Sequence, residues 1–298
     1  MGQKAWGTAH GVSTVSFRLS PPRNALCDFM NYIDFHTHVF PDRIAKQTME
    51  TLATESGHYR PRTDGTLRGL IDSMNRAGIS ASLVANIATK PAQMVPILNF
   101  CKQIKGERIH PLISFHPSND TEEVEEVFGE AHREGIRGVK LHPMYQRFFI
   151  DDKYMYGFYE LMASFGFIVM FHSGFDIAFP NNNQADVERI KKVADWFKDL
   201  TIVCTHVGGW KQWERIGCLS RCENVYTETS MTLSEVSDEE FIRLIGYFDE
   251  DRLLFGTDSP WTDQKEMLER TMQLKINDRL KEKMLYENAA ALLGLKKA

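Results

Sequence analysis

The sequence predicts an α/β protein that folds as a single-domain (β/α)8 TIM barrel. Its 298 residues are enough for one large domain, since α/β barrels routinely use about 250 residues. From Tyr32 onward, short β-rich runs alternate with helical patterns, which is typical of βα units around a parallel sheet. Eight such runs occur, the number that a closed barrel requires. An open doubly wound sheet is the alternative fold.

The eight predicted strands follow one another at intervals of 24 to 47 residues, which is the period of a βα repeat. Each run is short and apolar, as expected for a strand that is buried in a parallel sheet. Their first residues are Tyr32, Ile79, Ile109, Ile136, Phe167, Leu200, Asn224 and Arg252.

Between these runs, apolar residues recur at i, i+3, i+4 and i+7, which predicts amphipathic helices. The pattern is clear over residues 67–74, 124–131 and 241–248. Ser237, followed by Glu240, predicts a capping box at the start of the last of these helices. Gly78, Gly135 and Gly166 each stand between a helical pattern and a strand, where a left-handed residue is favoured.

Residues 1–30 fall outside the repeat and are expected to form a flexible N-terminal extension, whereas residues 31–298 form the barrel domain. Residues 12–19 alternate weakly and could pair as a short strand. Met30 directly precedes the first predicted strand and would be a natural start for the barrel, so the extension could be an added leader.

Composition and charge exclude several classes of partner. Hydrophobic residues make up 43% of the chain and the formal net charge is -5, without a basic block that could follow a phosphate backbone. This argues against nucleic acid as a partner. There is no run of 18 apolar residues and no signal-peptide pattern, so a cytoplasmic protein without a membrane partner is expected. The five cysteines are scattered and are expected to be reduced thiols.

Several predicted strands end in metal-ligating residue types. In a closed barrel, catalytic groups lie at the carboxyl ends of the strands. The first strand ends with Asp34, His36 and His38 in alternation, so all three are expected on one inward face. Later strands end at His172, His206 and Asp258. A lone buried histidine is usually a core residue, but this combination indicates a catalytic site for zinc or a similar divalent ion.

The fourth predicted strand carries Lys140 and His142. A buried lysine is costly unless it is paired or modified, so Lys140 is either a substrate anchor or a carbamylated metal ligand. The sequence does not decide between these two roles of Lys140. His142 is a possible substrate-binding residue. Five further residues lie at or after strand ends and could line a substrate pocket or be ordinary packing residues: His116, Trp210, Trp261, Glu228 and Ser230.

Together these motifs resemble the amidohydrolase superfamily, and more narrowly the amidohydrolase-related group that includes aminocarboxymuconate semialdehyde decarboxylase. The resemblance extends from Asp34-x-His36-x-His38 to the segment at 287–290. It includes the sequences Lys-Leu-His-Pro at 140–143, His-Ser-Gly at 172–174, Thr-His-Val-Gly-Gly at 205–209 and Gly-Thr-Asp-Ser-Pro-Trp at 256–261.

The resemblance implies that His36, His38, His172 and Asp258 hold the metal. It makes His206 either a catalytic acid/base or the ligand of a second ion. In some members of the superfamily the lysine of the fourth strand is a carbamate that bridges two metal ions, and Lys140 would take that place here. The decarboxylase branch has no such carbamate. One ion is favoured over two, with zinc expected and manganese possible, and a homodimer is plausible from the resemblance alone.

The leading functional hypothesis is metal-dependent hydrolysis of a small carbonyl substrate: an amide, lactone or ester. The metal would activate a water molecule, Asp258 would take its proton, and His206 would stabilise the oxyanion. The alternative is a metal-dependent non-oxidative decarboxylase (carboxy-lyase), in which His206 or Asp258 protonates the carbon. A phosphodiesterase acting on DNA is disfavoured by the acidic net charge, and a non-enzymatic scaffold would not need the complete ring of ligands.

Overall fold

The computed structural model describes residues 31–57 and 59–295, so the expected N-terminal extension lies outside the described residues. Eight parallel strands confirm the predicted barrel, and each begins at the predicted residue or one to two residues later. They are β1 (Tyr32–Thr37), β2 (Ile79–Ala85), β3 (Ile109–Leu112), β4 (Gly138–Leu141), β5 (Ile168–Phe171), β6 (Thr201–Cys204), β7 (Val225–Glu228) and β8 (Leu253–Leu254).

The barrel closes at two seams. Regular pairing forms one sheet from β1 to β3 and another from β4 to β8. At the first seam, Lys140 N donates to Ile113 O at 2.8 Å and joins β4 to the end of β3. At the second seam, Asp258 N donates to His36 O at 2.7 Å, and a parallel bridge pairs Thr37 with Ser259. The second seam therefore brings the first and last strands of the chain together.

α-Helices lie between most successive strands, as βα repetition predicts, but β6 and β7 are separated only by a loop with a short 3₁₀ turn (Ile216–Leu219). The first two amphipathic patterns lie within α2 and α4, whereas the third begins in α9 and ends at Phe248, three residues beyond that helix. Gly78, Gly135 and Gly166 have φ values of 74°, 69° and 64°. The Ser237 side chain caps α9 by accepting from Glu240 N. The helices are α1 (Asp42–Glu55), α2 (Leu67–Ala77), α3 (Met94–Ile104), α4 (Thr121–Arg133), α5 (Pro143–Gln146), α6 (Tyr156–Ser164), α7 (Val187–Trp196), α8 (Thr232–Glu235), α9 (Asp238–Ile245), α10 (Gln264–Gln273), α11 (Asp278–Glu282) and α12 (Asn288–Leu293).

A buried hydrophobic cluster connects opposite parts of the ring. It combines Phe35 of β1, Leu83 of β2, Met170 of β5 and Val203 of β6, each of which is fully buried. Leu293 of α12 packs against the same cluster, so the C-terminal helix completes the core. Burial of this apolar surface stabilises the scaffold that carries the polar strand ends.

The alternation expected along β1 does not hold for Asp34. The pairing register of β1 shifts between Asp34 and Thr37, which breaks the period of two. Asp34 instead accepts hydrogen bonds from His36 N, Thr257 N, Thr257 Oγ1 and Gln264 Nε2. Burial raises the pKa of Asp34 to about 7, although these four donors favour its charged form. Asp34 thus connects β1 to the loop after β8 and to α10.

Two further expectations concern the state of the cysteines and the presence of a membrane-spanning helix. Within the described residues, Cys101, Cys204, Cys218 and Cys222 are free thiols, and Cys27 lies outside those residues. In the same part of the chain, no helix is both long enough and apolar enough to cross a bilayer.

We expect Asp34→Ala to lower the free energy of unfolding by about 2–4 kcal/mol, because buried donors lose their acceptor. Asp34→Asn should cost less. Gln264 Oε1 is buried without a partner among the described residues, so its amide could turn and accept from the new Asn side chain. Urea denaturation of both variants measures this difference. Equal stability of the Ala variant and the wild type would contradict the assigned role of Asp34.

Candidate active site

A cavity of about 550 Å³ opens at the carboxyl ends of the strands, where a barrel places its active site. His116 lies outside it and lines a second cavity beside Arg147 and Tyr154. Among the other predicted pocket residues, Glu228 and Ser230 do not line the first cavity. The following do line it together: His36, His38, Lys140, His142, His172, His206, Trp210, Asp258 and Trp261.

Three metal-type donor atoms converge at the floor of this cavity. His36 Nε2 lies 3.1 Å from His38 Nε2, and Asp258 Oδ1 lies 3.4 Å and 3.0 Å from these two nitrogens. His38 Nδ1 bonds to the carbonyl of Ala85 at 2.7 Å, and His36 Nδ1 bonds to Glu228 at 2.9 Å. These acceptors hold the ring protons on Nδ1, so both Nε2 atoms present lone pairs to the cavity.

The spacing of these three atoms fits a metal ion. Zinc and similar ions bind nitrogen and oxygen at about 2.0–2.1 Å, so two ligands of one ion lie about 2.9–3.4 Å apart. The observed separations of 3.0, 3.1 and 3.4 Å fall in this range. Asp258 Oδ1 is also buried without a hydrogen-bond partner in the described part of the chain. His36, His38 and Asp258 can therefore hold one divalent cation.

His172 lines the same cavity but lies beside His206 rather than within the group of three. The Phe175 carbonyl accepts from His172 Nε2 at 2.8 Å, and the Ser230 carbonyl lies 3.2 Å from His206 Nδ1. The remaining nitrogens, His172 Nδ1 and His206 Nε2, face each other at 3.4 Å with their lone pairs. This pair can bind a cation or a proton next to the first three donors.

Burial sets the protonation of these groups. It lowers the pKa of His36 and His172 well below the usual range, and it lowers that of His206 to about 4. Burial alone would raise the pKa of Asp258, but the imidazoles of His36 and His38 hold it well below the usual range. Neutral imidazoles and an ionised carboxylate are the forms that bind metals.

A second cluster contains His142, His172 and Asp176. The ring of His142 stacks on that of His172 with centroids 4.2 Å apart, and its Nε2 lies 3.4 Å from Asp176 Oδ2. Tyr145 N donates to His142 Nδ1, which leaves the proton of this ring on Nε2. His172 Nε2 also carries a proton, since Phe175 O accepts from it. Protonated nitrogens cannot be ligands, so this cluster is a hydrogen-bonded network around Asp176.

Lys140 places a cation beside the three converging donors. It is 1% exposed, and its Nζ lies 3.4 Å from His36 Nε2. Burial lowers the pKa of Lys140 to about 8, while the carboxylates of Asp258 and Glu228 raise it. The lysine therefore remains largely protonated at pH 7 and faces the cavity with its charge.

Glu228 supports the histidines of the site. The sequence does not decide whether this residue lines the pocket or is an ordinary packing residue. Besides His36 Nδ1, its Oε1 accepts from Ser230 Oγ at 2.7 Å and from His206 N at 3.1 Å. Ser230 Oγ in turn lies 2.8 Å from His206 Nδ1. A Cβ at Gly256 would lie 2.2 Å from Glu228 Oε2, so only glycine leaves room for this carboxylate. One buried side chain thus orients two catalytic-site imidazoles.

Trp210 reaches the cavity through contacts between neighbouring loops. Its N donates to Ser173 O at 2.7 Å, and a Cβ at Gly174 would lie 2.4 Å from the same nitrogen. The indole packs against the ring of His206 with centroids 5.4 Å apart. Asp176 is a lining residue that the sequence analysis missed, because it lies inside a loop and not at a strand end.

Comparison with known proteins identifies a matching family. The family model described as amidohydrolase matches residues 33–295. No curated protein matches the chain.

Solved structures share the barrel fold. An uncharacterised TIM-barrel protein from Bordetella bronchiseptica is 24% identical, with a TM-score of 0.74, and the match covers 89% of this chain and 99% of that one. A 2,6-dihydroxybenzoate decarboxylase, solved with 2,6-dihydroxybenzoate, is 13% identical, with a TM-score of 0.68 and coverage of 90% and 100%. A 5-carboxyvanillate decarboxylase from Novosphingobium aromaticivorans, solved with manganese and a nitrobenzoic acid, is 12% identical, with a TM-score of 0.66 and coverage of 89% and 96%.

We expect Glu228→Gln to weaken the binding of a divalent metal by about ten- to a hundredfold. An amide cannot accept all the hydrogen bonds that the carboxylate accepts from His36, His206 and Ser230, so His36 is held less firmly. Competition with a chelator measures the affinity. His38→Ala should lose the metal, since a ligand is removed, whereas His116→Ala should keep it. Unchanged metal affinity in Glu228→Gln would show that this carboxylate does not act through His36.

Proposed function

Because the chain belongs to the amidohydrolase family and is a metal-dependent enzyme, we propose that it is a carboxy-lyase that removes CO2 from its substrate without oxidation. The family alone leaves hydrolysis open. Two structural neighbours with a stated activity are decarboxylases of aromatic acids, which favours decarboxylation over the hydrolysis of an amide, lactone or ester.

The observation that carries this proposal is the buried Lys140 at the floor of a cavity with largely apolar walls. A buried cation needs an anionic partner, and a substrate carboxylate can supply it within reach of the metal-type donors. The same carboxylate leaves as neutral CO2. Taking the carboxylate out of water favours this step, because its localised charge passes to the substrate carbon, beside the positive charge of Lys140, until a proton is added there.

When bound by His36, His38 and Asp258, with His172 as the further ligand expected from the family resemblance, a divalent ion would polarise the oxygen atoms of the substrate. The protein supplies the remaining steps. Lys140 orients the carboxylate, and the apolar walls exclude water from the carbon that loses it.

The reaction replaces CO2 by a proton on the same carbon. The carbon–carbon bond breaks, its electron pair stays on the substrate carbon, and a proton then adds there. We assign the delivery of this proton to His206 Nε2, which first takes a proton from solvent onto its free lone pair and then passes it to the carbon while Ser230 holds Nδ1. Asp258 Oδ1 is less suited to this step because it is directed at the nitrogens of His36 and His38.

We propose one ion per chain, zinc or manganese. Imidazole nitrogen and carboxylate oxygen accept both metals, and the Novosphingobium decarboxylase was solved with manganese. A single ion is supported because only one of the two clusters, His36 with His38 and Asp258, offers free lone pairs, whereas the cluster around Asp176 does not. The lone pairs of the first converge on one point, whereas the nitrogens around Asp176 carry protons.

The proposal is tested by the products that the metal-loaded enzyme forms. We expect release of 13CO2 from carboxyl-labelled hydroxybenzoates, followed by NMR, and no release from His38→Ala. A parallel set of lactones and esters tests hydrolysis under the same conditions. Turnover of these with water, without CO2 from any acid, would contradict the carboxy-lyase assignment.

Lys140→Met should retain metal but raise the KM for the acid by at least about tenfold, the effect of losing one buried charge-assisted contact of about 1.5–3 kcal/mol. Lys140→Arg keeps the charge and should recover part of the loss. Steady-state kinetics and metal analysis give the two readouts. Two metals per chain, with one lost in Lys140→Met, would instead identify a carbamylated lysine and a binuclear hydrolase.

A further inference from the structure

We propose that the substrate of this site is a carboxylic acid with an extended apolar body, and that this body lies between α1 and α3. The inference rests on the proposed function for the carboxylate end of the substrate. It adds the chemical class of the other end, which the metal-type donors and Lys140 do not specify.

The outer part of the cavity has two apolar walls. Helix α1 contributes Ile44 and Leu52 to one wall, and α3 contributes Ile97 and Phe100 to the other. The Ile44 side chain is 41% exposed, and the other three are only half-buried. Apolar side chains on amphipathic helices normally face a core, so their partial exposure towards one cleft favours an apolar ligand there.

The charges of the cavity are unevenly placed. Lys140 and Asp258 lie on or just after strands and Asp176 lies in the loop after β5. The α1 wall carries the oppositely charged Arg43 and Glu55 near its two ends. Glu55 already accepts a hydrogen bond from Tyr145 Oη at 3.1 Å. A ligand that fits this pattern has one anionic end on the floor and an uncharged body along the walls.

The size of the cavity also exceeds that of a single-ring acid. A volume of 550 Å³ corresponds to about 18 water molecules at roughly 30 Å³ each. A dihydroxybenzoate has about eleven non-hydrogen atoms, so it would leave a substantial part of the cavity to solvent. An added alkyl chain or second ring would fill the space between α1 and α3.

The test compares the binding of three probes to the metal-loaded full chain by calorimetry: benzoate, 4-butylbenzoate and 4-butylbenzyl alcohol. Each fully buried methylene should tighten binding by about fourfold, the equivalent of ~0.8 kcal/mol. Allowing for partial burial, 4-butylbenzoate should bind at least about tenfold tighter than benzoate. The alcohol lacks the carboxylate and should bind at least about tenfold more weakly than 4-butylbenzoate.

Matched variants locate the tail. The double variant Ile44→Gln with Leu52→Gln should reduce the gain from the butyl group to less than about threefold, because it makes one wall polar. Val95→Gln is the control. Val95 lies on α3 and is 51% exposed, but it does not line the cavity, so this variant should keep the full gain. Thermal unfolding checks that each variant folds.

Several outcomes would overturn the inference. They are equal affinity for benzoate and 4-butylbenzoate, no binding of either acid, and a gain that survives in the double variant. Sedimentation tests another occupant: a wild-type dimer that dissociates in the double variant, without any gain from the butyl group, would show that a second copy covers the walls. CO2 release is measured separately, so failure here leaves the carboxy-lyase assignment to its own test.

Discussion

The closure of the barrel between its first and last strands is the constraint on which the site depends. His36 and His38 lie on and just after β1, whereas Asp258 follows β8, more than 200 residues later in the chain. A backbone hydrogen bond from Asp258 N to His36 O and the bridge between Thr37 and Ser259 hold them together. Without this seam, no backbone contact would hold the donor atoms of His36, His38 and Asp258 within 3.4 Å of one another.

The site also carries local backbone strain. Asp258, His206 and Met231 have φ values of 61°, 59° and 56°, in the left-handed region that residues with a side chain rarely adopt. All three line the cavity. Such conformations cost of order 1 kcal/mol or more each and persist only where the surroundings determine them. Here each residue follows a parallel strand, so the strand fixes where the chain must turn and the turn directs the side chain inward.

The order of residues predicts the barrel and the metal-type and charged residues on the floor of the cavity, but neither its apolar walls nor the finer contacts. Strand starts can be predicted because the apolar run recurs eight times and several runs follow a helical pattern and a glycine. The polar residues at the strand ends share one rim. The position of Asp34 is not readable, because a register shift depends on how β1 pairs with β2. Glu228 ends its strand as the histidines do, yet only three-dimensional contact shows that it supports His36. Asp176 comes from a loop whose path no period describes.

The same groups connect metal binding to the stability of the fold. When both imidazoles are neutral, their two lone pairs and the Asp258 oxygen converge within 3.4 Å and repel one another. The barrel seam and the Glu228 network hold them against this repulsion. Lys140 offsets part of it from one side. A divalent cation would convert the repulsion into attraction, and any ligand that binds only the folded state stabilises it. The strain, the seam and the buried carboxylates are therefore parts of one arrangement that holds the donors in position before a cation binds.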